Sequence, residues 1–220
     1  MFIKDSISDT VPILDSKKTF LFALTLMDEL KISSLPVVDD RIYKGLLPED
    51  VIYELDLFAQ SISEHEHLLR NISLKQNQTI LDALNLFAQE KVDMLPIVDE
   101  MNTYLGSITK TEALKIISKL IASAEQGGIL VLRMNCNNLH ISEIAKIIED
   151  EDAKIINLFV NPVPSSTEIN VYMKINKIDL TRIERSLQRH NYDVTLLSEN
   201  KETDESLSHK YDLFMKYLDI

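Results

Sequence analysis

The sequence has one cysteine, no tryptophan, four glycines and six prolines among 220 residues. Because Cys136 is alone, neither a disulfide nor a thiolate zinc site can form within one chain. His140 is close enough in sequence to activate this thiol as a nucleophile, and the alternative is a plain loop cysteine. Since glycine and proline are scarce, we expect a chain made mostly of regular helices and strands.

Positive charge is also in short supply, with 23 Lys and Arg against 35 Asp and Glu and a net charge of −12. Such a surface repels phosphate backbones and anionic lipids, so nucleic acid and membrane are not expected partners. No apolar run approaches the roughly 18–20 residues of a membrane span. The first ten residues lack the layout of a signal peptide. We therefore expect a cytoplasmic protein. The net negative charge of the chain remains compatible with a local pocket for a mononucleotide.

The chain contains an internal repeat. A shift of 60 residues places residues 14–40 over residues 74–100 with 11 of 27 positions identical. Among the identical pairs are Leu35/Leu95, Pro36/Pro96, Val38/Val98 and Asp39/Asp99. Chance does not produce this similarity, so the two segments are expected to share one structure.

Each copy predicts the element order β-α-β-β-α. Thr19 and Thr79 are expected to be the N-caps of helices that end near residues 30 and 90. These helices carry apolar residues on more than one face, which predicts burial on both sides. A strand, a turn and a second strand follow, and then a second helix that opens at Pro48 or at Thr109. One unit is too small to bury its own faces, so we expect repeats at about residues 8–58 and 68–122 to form a single domain, 1–122.

The duplicated pattern of helix, L-P-[VI]-V-D, hairpin, G-x-[LI] and helix resembles a tandem pair of CBS domains, called a Bateman module. The resemblance covers somewhat more than half of the chain. It implies that an adenosine-containing ligand, AMP or else ADP, ATP or S-adenosylmethionine, binds between the repeats. It also implies that the ligand regulates an attached or associated partner.

The second repeat carries the family's ligand motif, G-x-x-[ST]-x-x-D, at residues 106–112, with glutamate in place of aspartate. A hydroxyl at a helix start suits a phosphate, which is the role of Thr109. Glu112 lies one turn further on the same helix face and can accept hydrogen bonds from ribose hydroxyls. The remaining expected contacts are an apolar wall for the base and one cation, from Leu95, Pro96, Ile97 and Lys110. The alternative for Thr109 and Glu112 is a purely structural capping box.

The corresponding segment of the first repeat, residues 45–51, departs from the motif. Pro48 occupies the hydroxyl position and Val51 the acidic position, unless a shorter turn lets Asp50 serve. We therefore expect one nucleotide site or none, and the few cations favour a monophosphate or a neutral adenosyl compound.

A polar linker at residues 122–128 precedes a second predicted domain, 128–198, with the order β-α-β-β-α-β. This order is that of a ferredoxin-like fold, so the predicted fold class of the chain is α+β. Size and position after a CBS pair make the domain resemble an ACT domain, which implies a small ligand such as an amino acid. The loop at residues 135–140 lacks the Asp and Gly of that site. The alternative is that the domain dimerises through its sheet or transmits the state of the first domain.

A charged tether at residues 199–205 leads to a predicted C-terminal amphipathic helix within 199–220. Its apolar stripe consists of Leu207, Tyr211, Phe214, Met215 and Leu218. Packing on its own domain and docking of a partner subunit are the two interpretations.

No feature of the sequence indicates an enzyme. Glycine-rich phosphate loops and hydrolase or zinc-protease motifs are missing, and the His65-Glu66-His67 cluster is typical of solvated surface. We expect a regulatory sensor without a required cofactor, a homodimer that acts on a partner protein in trans. Its architecture resembles stand-alone acetoin-utilisation proteins. The alternative is a ligand-free assembly protein.

Overall fold

The computed structural model describes Ile3 and residues 7–8, 10–55 and 58–197. These residues fall into two compact units that divide between Leu120 and Ile121. Among the described residues, no helix combines the length and hydrophobicity that crossing a membrane requires.

The first unit contains the two repeats. The first comprises α1 (Phe20–Leu30), β1 (Ser34–Asp39), β2 (Ile42–Pro48) and α2 (Glu49–Leu55). A 3-10 helix (Ile62–Leu68) precedes the second, which comprises β3 (Leu74–Lys75), α3 (Ile80–Gln89), β4 (Met94–Val98), β5 (Tyr104–Thr109) and α4 (Lys110–Leu120). The prediction that Pro48 opens a helix was wrong by one residue, because Pro48 is the last residue of β2 and α2 begins at Glu49.

Both predicted N-caps are confirmed. The Thr19 hydroxyl oxygen accepts the N–H of Phe22, and the Thr79 hydroxyl oxygen accepts the N–H of Asp82. Asp82 reciprocates by accepting the Thr79 N–H at 2.7 Å, which makes a complete capping box. The start of each first helix is therefore set by a local hydrogen bond that the sequence encodes.

The two hairpins are distorted at equivalent places. β1 and β2 are antiparallel with a bulge between Val37 and Val38, and β4 and β5 have theirs between Ile97 and Val98. Gly45, with φ +154°, faces the first bulge, and a Cβ there would lie 2.6 Å from the Cβ of Leu69. A side chain at this position would collide with the segment that leads into the second repeat.

Contacts between equivalent residues join the repeats. Val38 and Tyr43 pack with their counterparts Val98 and Tyr104 in one cluster. The Tyr43 N–H donates to Asn102 O at 3.0 Å and the Tyr104 N–H donates to Arg41 O at 2.8 Å. Such reciprocal contacts are those of an approximate two-fold axis between the repeats.

The prediction that the first helices are buried on both sides was wrong. In α1, Phe20, Ala23, Leu24 and Met27 contact the core, whereas Leu21 is 56% exposed. Leu81 of α3 is likewise exposed. Each helix therefore buries one apolar face in the core, and the apolar residues Leu21 and Leu81 outside that face are exposed to solvent.

The second unit has the predicted order β-α-β-β-α-β. It consists of β6 (Gly128–Asn135), a 3-10 turn (Cys136–Asn138), α5 (Ile141–Glu149), β7 (Ile155–Pro162), β8 (Glu168–Ile175), α6 (Thr181–Arg189) and β9 (Asp193–Leu196). All pairings are antiparallel, and the strand order is β7-β8-β6-β9.

One sheet face of this unit carries the core. The buried residues of β8 are Ile169, Val171, Met173 and Ile175, as the alternation predicts. Ile144 and Ile148 of α5 and Ile183 and Leu187 of α6 belong to the same core. The predicted tether and C-terminal helix, residues 199–220, lie outside the described residues.

The contact between the repeats generates a stability prediction. The buried Tyr43 hydroxyl donates to Ile72 O at 2.6 Å, and burial raises the pKa of this phenol. Tyr43→Phe leaves the Ile72 carbonyl without this donor, so the free energy of unfolding should fall by about 1–3 kcal/mol. Hydrogen exchange of the slowest amides of β1 and β4 measures this change. Tyr53→Phe is the matched control, because the Tyr53 side chain is 63% exposed. An equal loss in both variants would contradict the prediction.

Candidate functional site

The candidate site lies where β5 passes into α4. Gly106 has a positive φ of 140°, Ser107 is fully buried, and Thr109 is the last residue of the strand. α4 begins at the next residue, so Thr109 stands at the start of the helix with backbone N–H groups beside it. The predicted helix start at Thr109 was therefore wrong by one residue, as it was at Pro48.

Thr109 and Glu112 form a reciprocal pair. The Thr109 N–H and hydroxyl both donate to Glu112 Oε2 at 2.8 Å. The Glu112 N–H donates back to the Thr109 oxygen at 3.2 Å. This is a capping box, and it repeats the Thr79–Asp82 arrangement at the start of α3. The structure therefore contains the structural alternative that the sequence left open. A carboxylate has about four acceptor positions, so the box does not by itself exhaust Glu112.

The segment before the first repeat reaches this junction, which the sequence did not reveal. Ser8 and Ser107 exchange backbone hydrogen bonds at 2.9 Å in both directions. The Ser8 hydroxyl donates to the Thr10 hydroxyl at 2.9 Å, and the Ser8 side chain also lowers the pKa of Glu112. Ser8 is 99 residues from Ser107, and no local pattern marks such a contact.

The pKa of Glu112 lies below its ordinary value. Desolvation is the largest single influence and raises the pKa, but the Thr109 N–H, the Thr109 hydroxyl, the Ser8 side chain and the Lys115 charge together outweigh it. The carboxylate is therefore ionised at neutral pH and presents a negative charge and acceptor oxygens at the helix start.

Lys110 is paired within the first unit. The Lys110 ammonium lies 3.3 Å from Asp93 Oδ1, and the Lys110 backbone N–H donates to the Asp93 backbone carbonyl at 3.0 Å. Asp93 also accepts the Ser33 hydroxyl at 2.6 Å, and this hydrogen bond is the main cause of its lowered pKa. Ser33 and Asp93 occupy equivalent positions in the two repeats, so the single cation of the motif is held next to the contact between the repeats.

The three apolar candidates lie in strand β4. Leu95 and Ile97 belong to the hydrophobic core of the first unit, and Pro96 is also buried. Their register places them opposite Ile108, Gly106 and Ser107 of β5. They therefore support the strand that leads to Thr109, and their role as a wall for a base stays a prediction.

The equivalent junction in the first repeat differs in its chemistry. Leu46 and Arg70 exchange backbone hydrogen bonds at 2.8 and 2.9 Å, as Ser107 and Ser8 do in the second. Asp50 does not accept from a helix-start hydroxyl, because Pro48 has none. It instead pairs with Arg70, whose Nη2 lies 2.9 Å from Asp50 Oδ2. Sequence reasoning named Asp50 but missed Arg70.

Other candidates remain separate from this site. Cys136 is exposed, and its thiol lies 3.9 Å from the Asn137 side-chain oxygen.

The His65-Glu66-His67 cluster is engaged in local contacts. The His65 ring packs near Phe20 and hydrogen-bonds Gln60, while Glu66 lies 3.9 Å from Lys44. Across the part of the chain that the structure describes, no group of three or more His, Cys, Asp or Glu side chains is placed to hold a metal ion.

Comparison with known proteins identifies a CBS domain at residues 67–119. The chain is 34% identical over 96 residues to an uncharacterized protein of Methanocaldococcus jannaschii, a match that covers 42% of this chain and 31% of that protein. It is 27% identical over 143 residues to the CBS domain-containing protein YhcV of Bacillus subtilis, covering 63% of this chain and 98% of that one. The chain thus spans about a third of the length of the first of these relatives.

Solved structures of CBS-pair proteins are similar to the chain. A CBS domain pair/ACT domain protein from Thermotoga maritima has 20% identity and a TM-score of 0.49, covering 55% of this chain and 99% of that one. CBSX2 of Arabidopsis thaliana, solved in complex with AMP, has 19% identity and a TM-score of 0.47, covering 54% of this chain and 97% of that one.

The depressed pKa of Glu112 generates a pH prediction. A carboxyl whose pKa is lowered by folding contributes stability above its unfolded pKa of 4.5, and this contribution is lost as pH falls through the lower folded value. Glu112→Gln should therefore destabilise the first unit by about 1 kcal/mol at pH 7, the usual magnitude for a helix cap. The difference from wild type should disappear as the pH falls below 4.5.

Hydrogen exchange of residues 94–120, followed from pH 7 downward with rates corrected for pH, measures this difference. Glu54→Gln is the control, since Glu54 is an exposed residue of α2. If the difference in stability between Glu112→Gln and wild type were independent of pH, the ionised carboxylate would not be its cause, and the prediction would be wrong.

Proposed function

We propose that the first unit is a tandem CBS pair that binds one adenosine-containing nucleotide, with AMP the first candidate, at the junction of β5 and α4. The observation that carries the proposal is the pair formed by Thr109 and Glu112 at a helix start, inside a segment that matches the CBS domain. Hydroxyl, backbone N–H and carboxylate stand together there, and they are the groups that a nucleotide needs.

The proposed role of each residue is supported by its contacts at this junction. Glu112 accepts the ribose hydroxyls with the carboxylate positions that Thr109 leaves open, and its ionised state favours this. The Thr109 hydroxyl and the neighbouring helix-start N–H groups face the phosphate. Lys110 adds one positive charge that Asp93 partly offsets. This limited positive charge favours a monophosphate or an uncharged adenosyl compound over a triphosphate. Leu95, Pro96 and Ile97 form the apolar side of the site.

The stoichiometry is one nucleotide per chain. In the first repeat Pro48 has neither an N–H nor a hydroxyl, and Asp50 is already paired with Arg70. A ligand at that junction would have to break this ion pair without gaining the hydroxyl contact. The two half-sites are therefore unequal by sequence although their backbones correspond.

The second unit transmits or stabilises the bound state. Its element order and its strand order β7-β8-β6-β9 support a ferredoxin-like, ACT-like domain. The full chain then acts as a homodimeric cytoplasmic regulator of a partner protein, without catalytic activity of its own. Regulation requires that the nucleotide bind two arrangements of the protein with different affinity. The likeness to acetoin-utilisation proteins concerns architecture and names no pathway.

A ligand-free assembly protein is the second candidate. Two observations favour it: Thr109 and Glu112 satisfy each other as a capping box, and Asp50 is paired with Arg70. Exposed apolar residues of α1 and α3, Leu21 and Leu81 among them, give such a protein a surface for assembly.

Calorimetric titration with AMP, ADP, ATP and S-adenosylmethionine tests the proposal. We expect the wild-type chain to bind one of these ligands at micromolar concentration with a stoichiometry near one. Thr109→Ala with Glu112→Ala should weaken binding at least tenfold, because both polar contacts are removed.

Thr79→Ala with Asp82→Ala is a matched control, because it deletes the same capping box from α3. Its affinity should equal that of wild type. Equal weakening in both double variants would mean that loss of a helix cap, and not loss of ligand contacts, explains the result. Absence of heat and of thermal stabilisation with all four ligands would favour the assembly protein.

A further inference from the structure

The four-stranded sheet of the second unit has helices on one face only. Along β6, Leu130 and Leu132 are buried against the helices, whereas Ile129, Val131 and Arg133 point to the opposite face. Antiparallel sheets commonly leave such a face to solvent, and it is then mostly polar. Here the middle of the face is apolar.

Cross-strand register gathers the apolar side chains. Phe159 of β7 lies opposite Tyr172 of β8, and Tyr172 lies opposite Val131 of β6. Ile129 and Leu197 complete a set that we call the open-face patch: Ile129, Val131, Phe159, Tyr172 and Leu197. Phe159 is 49% exposed and Leu197 is 57% exposed. Clustered exposed apolar side chains of this kind mark a surface that another element covers.

The patch is concave and has polar ends. A cavity of about 550 Å³ lies over it, lined by Ile129, Phe159, Tyr172 and Leu197 among others. The Arg133–Glu168 ion pair lies toward one end of the sheet. At the other end the Lys174 ammonium donates to Ala122 O at 2.7 Å, which fixes the linker there. The open-face patch is therefore a groove that is bounded at both ends by polar side chains.

The residue that follows β9, Leu197, lies at this groove. The Leu197 N–H donates to Ile129 O at 2.9 Å, and Leu197 itself lines the cavity. Residues 198–220 follow, and their sequence carries the stripe Leu207, Tyr211, Phe214, Met215 and Leu218. The spacing i, i+4, i+7, i+8, i+11 is that of one helix face, and Lys216 falls on the opposite side.

We propose that residues 207–218 dock on the open-face patch of their own chain as an amphipathic helix. Twelve helical residues measure about 18 Å, which is comparable with the width of four strands at roughly 4.8 Å spacing. The nine residues 198–206 reach up to about 30 Å when extended, more than the sheet is wide.

The segment's own chain is the occupant that the connection favours. A short tether holds a segment at an effective concentration of about a millimolar, well above the micromolar concentration of a second copy. The sheet then has helices on both faces, with the C-terminal segment as the second cover. This proposal is independent of nucleotide binding, because all of its residues belong to the second unit and the segment after it.

Nuclear magnetic resonance of the full chain with labelled isoleucine and methionine methyl groups tests the docking. We expect a nuclear Overhauser effect between a methyl of Met215 and the δ1 methyl of Ile129. Phe214→Lys should abolish it and shift the Ile129 resonance, because it places a charge in the stripe. Leu213→Lys is the matched control, since it makes the same kind of change off the stripe and should leave both signals in place. The Ile144 methyl in the helix-side core reports that the unit stays folded.

The competing occupants give distinct results. In an equal mixture of differently labelled chains, an effect seen only between chains would show that a second copy covers the face, and the proposal would be wrong. No effect between the stripe and Ile129, or equal loss in Phe214→Lys and Leu213→Lys, would also overturn it.

Discussion

Reciprocal contact between the two repeats is the constraint on which the first unit depends. Each repeat has too few residues to bury both faces of its hairpin and helices, so each is stable only against the other. Val38, Tyr43, Val98 and Tyr104 supply the packing of this contact. The backbone hydrogen bonds from Tyr43 to Asn102 and from Tyr104 to Arg41 supply its register. Because the contact uses equivalent residues, any change at one position acts on both repeats.

Because the two repeats are related by this symmetry, their two helix junctions can be compared position by position. Both junctions receive a strand-like segment from elsewhere in the chain, at Ser8 in one case and at Arg70 in the other. The backbone frame is therefore shared, and the chemistry is set by side chains alone. Thr109 and Glu112 give one junction an ionised, hydroxyl-flanked helix start, whereas Pro48 and the Asp50–Arg70 ion pair close the other. The two junctions therefore share one backbone frame and differ in the side-chain chemistry that they present.

The second unit shows a different balance of forces. Its helices pack on one sheet face, and the alternating burial of β8 is the direct result. The open-face patch is an apolar surface of this unit that its described residues leave exposed. Exposing clustered apolar side chains to water costs free energy. The patch is therefore a surface that either another segment of the same chain or another molecule covers.

Four features could be predicted from the residues alone: the repeat, the helix starts at Thr19 and Thr79, the strand alternation of the second unit, and the position of the Thr109–Glu112 pair. All of these are local patterns in which period, cap and turn residues act over a few positions. Three features became visible only in the folded chain: Ser8 and Arg70 reach the two junctions, Asp50 is paired, and Leu21 and Leu81 are exposed. These depend on segments far apart in the chain, whose meeting is fixed by packing and not by any short pattern.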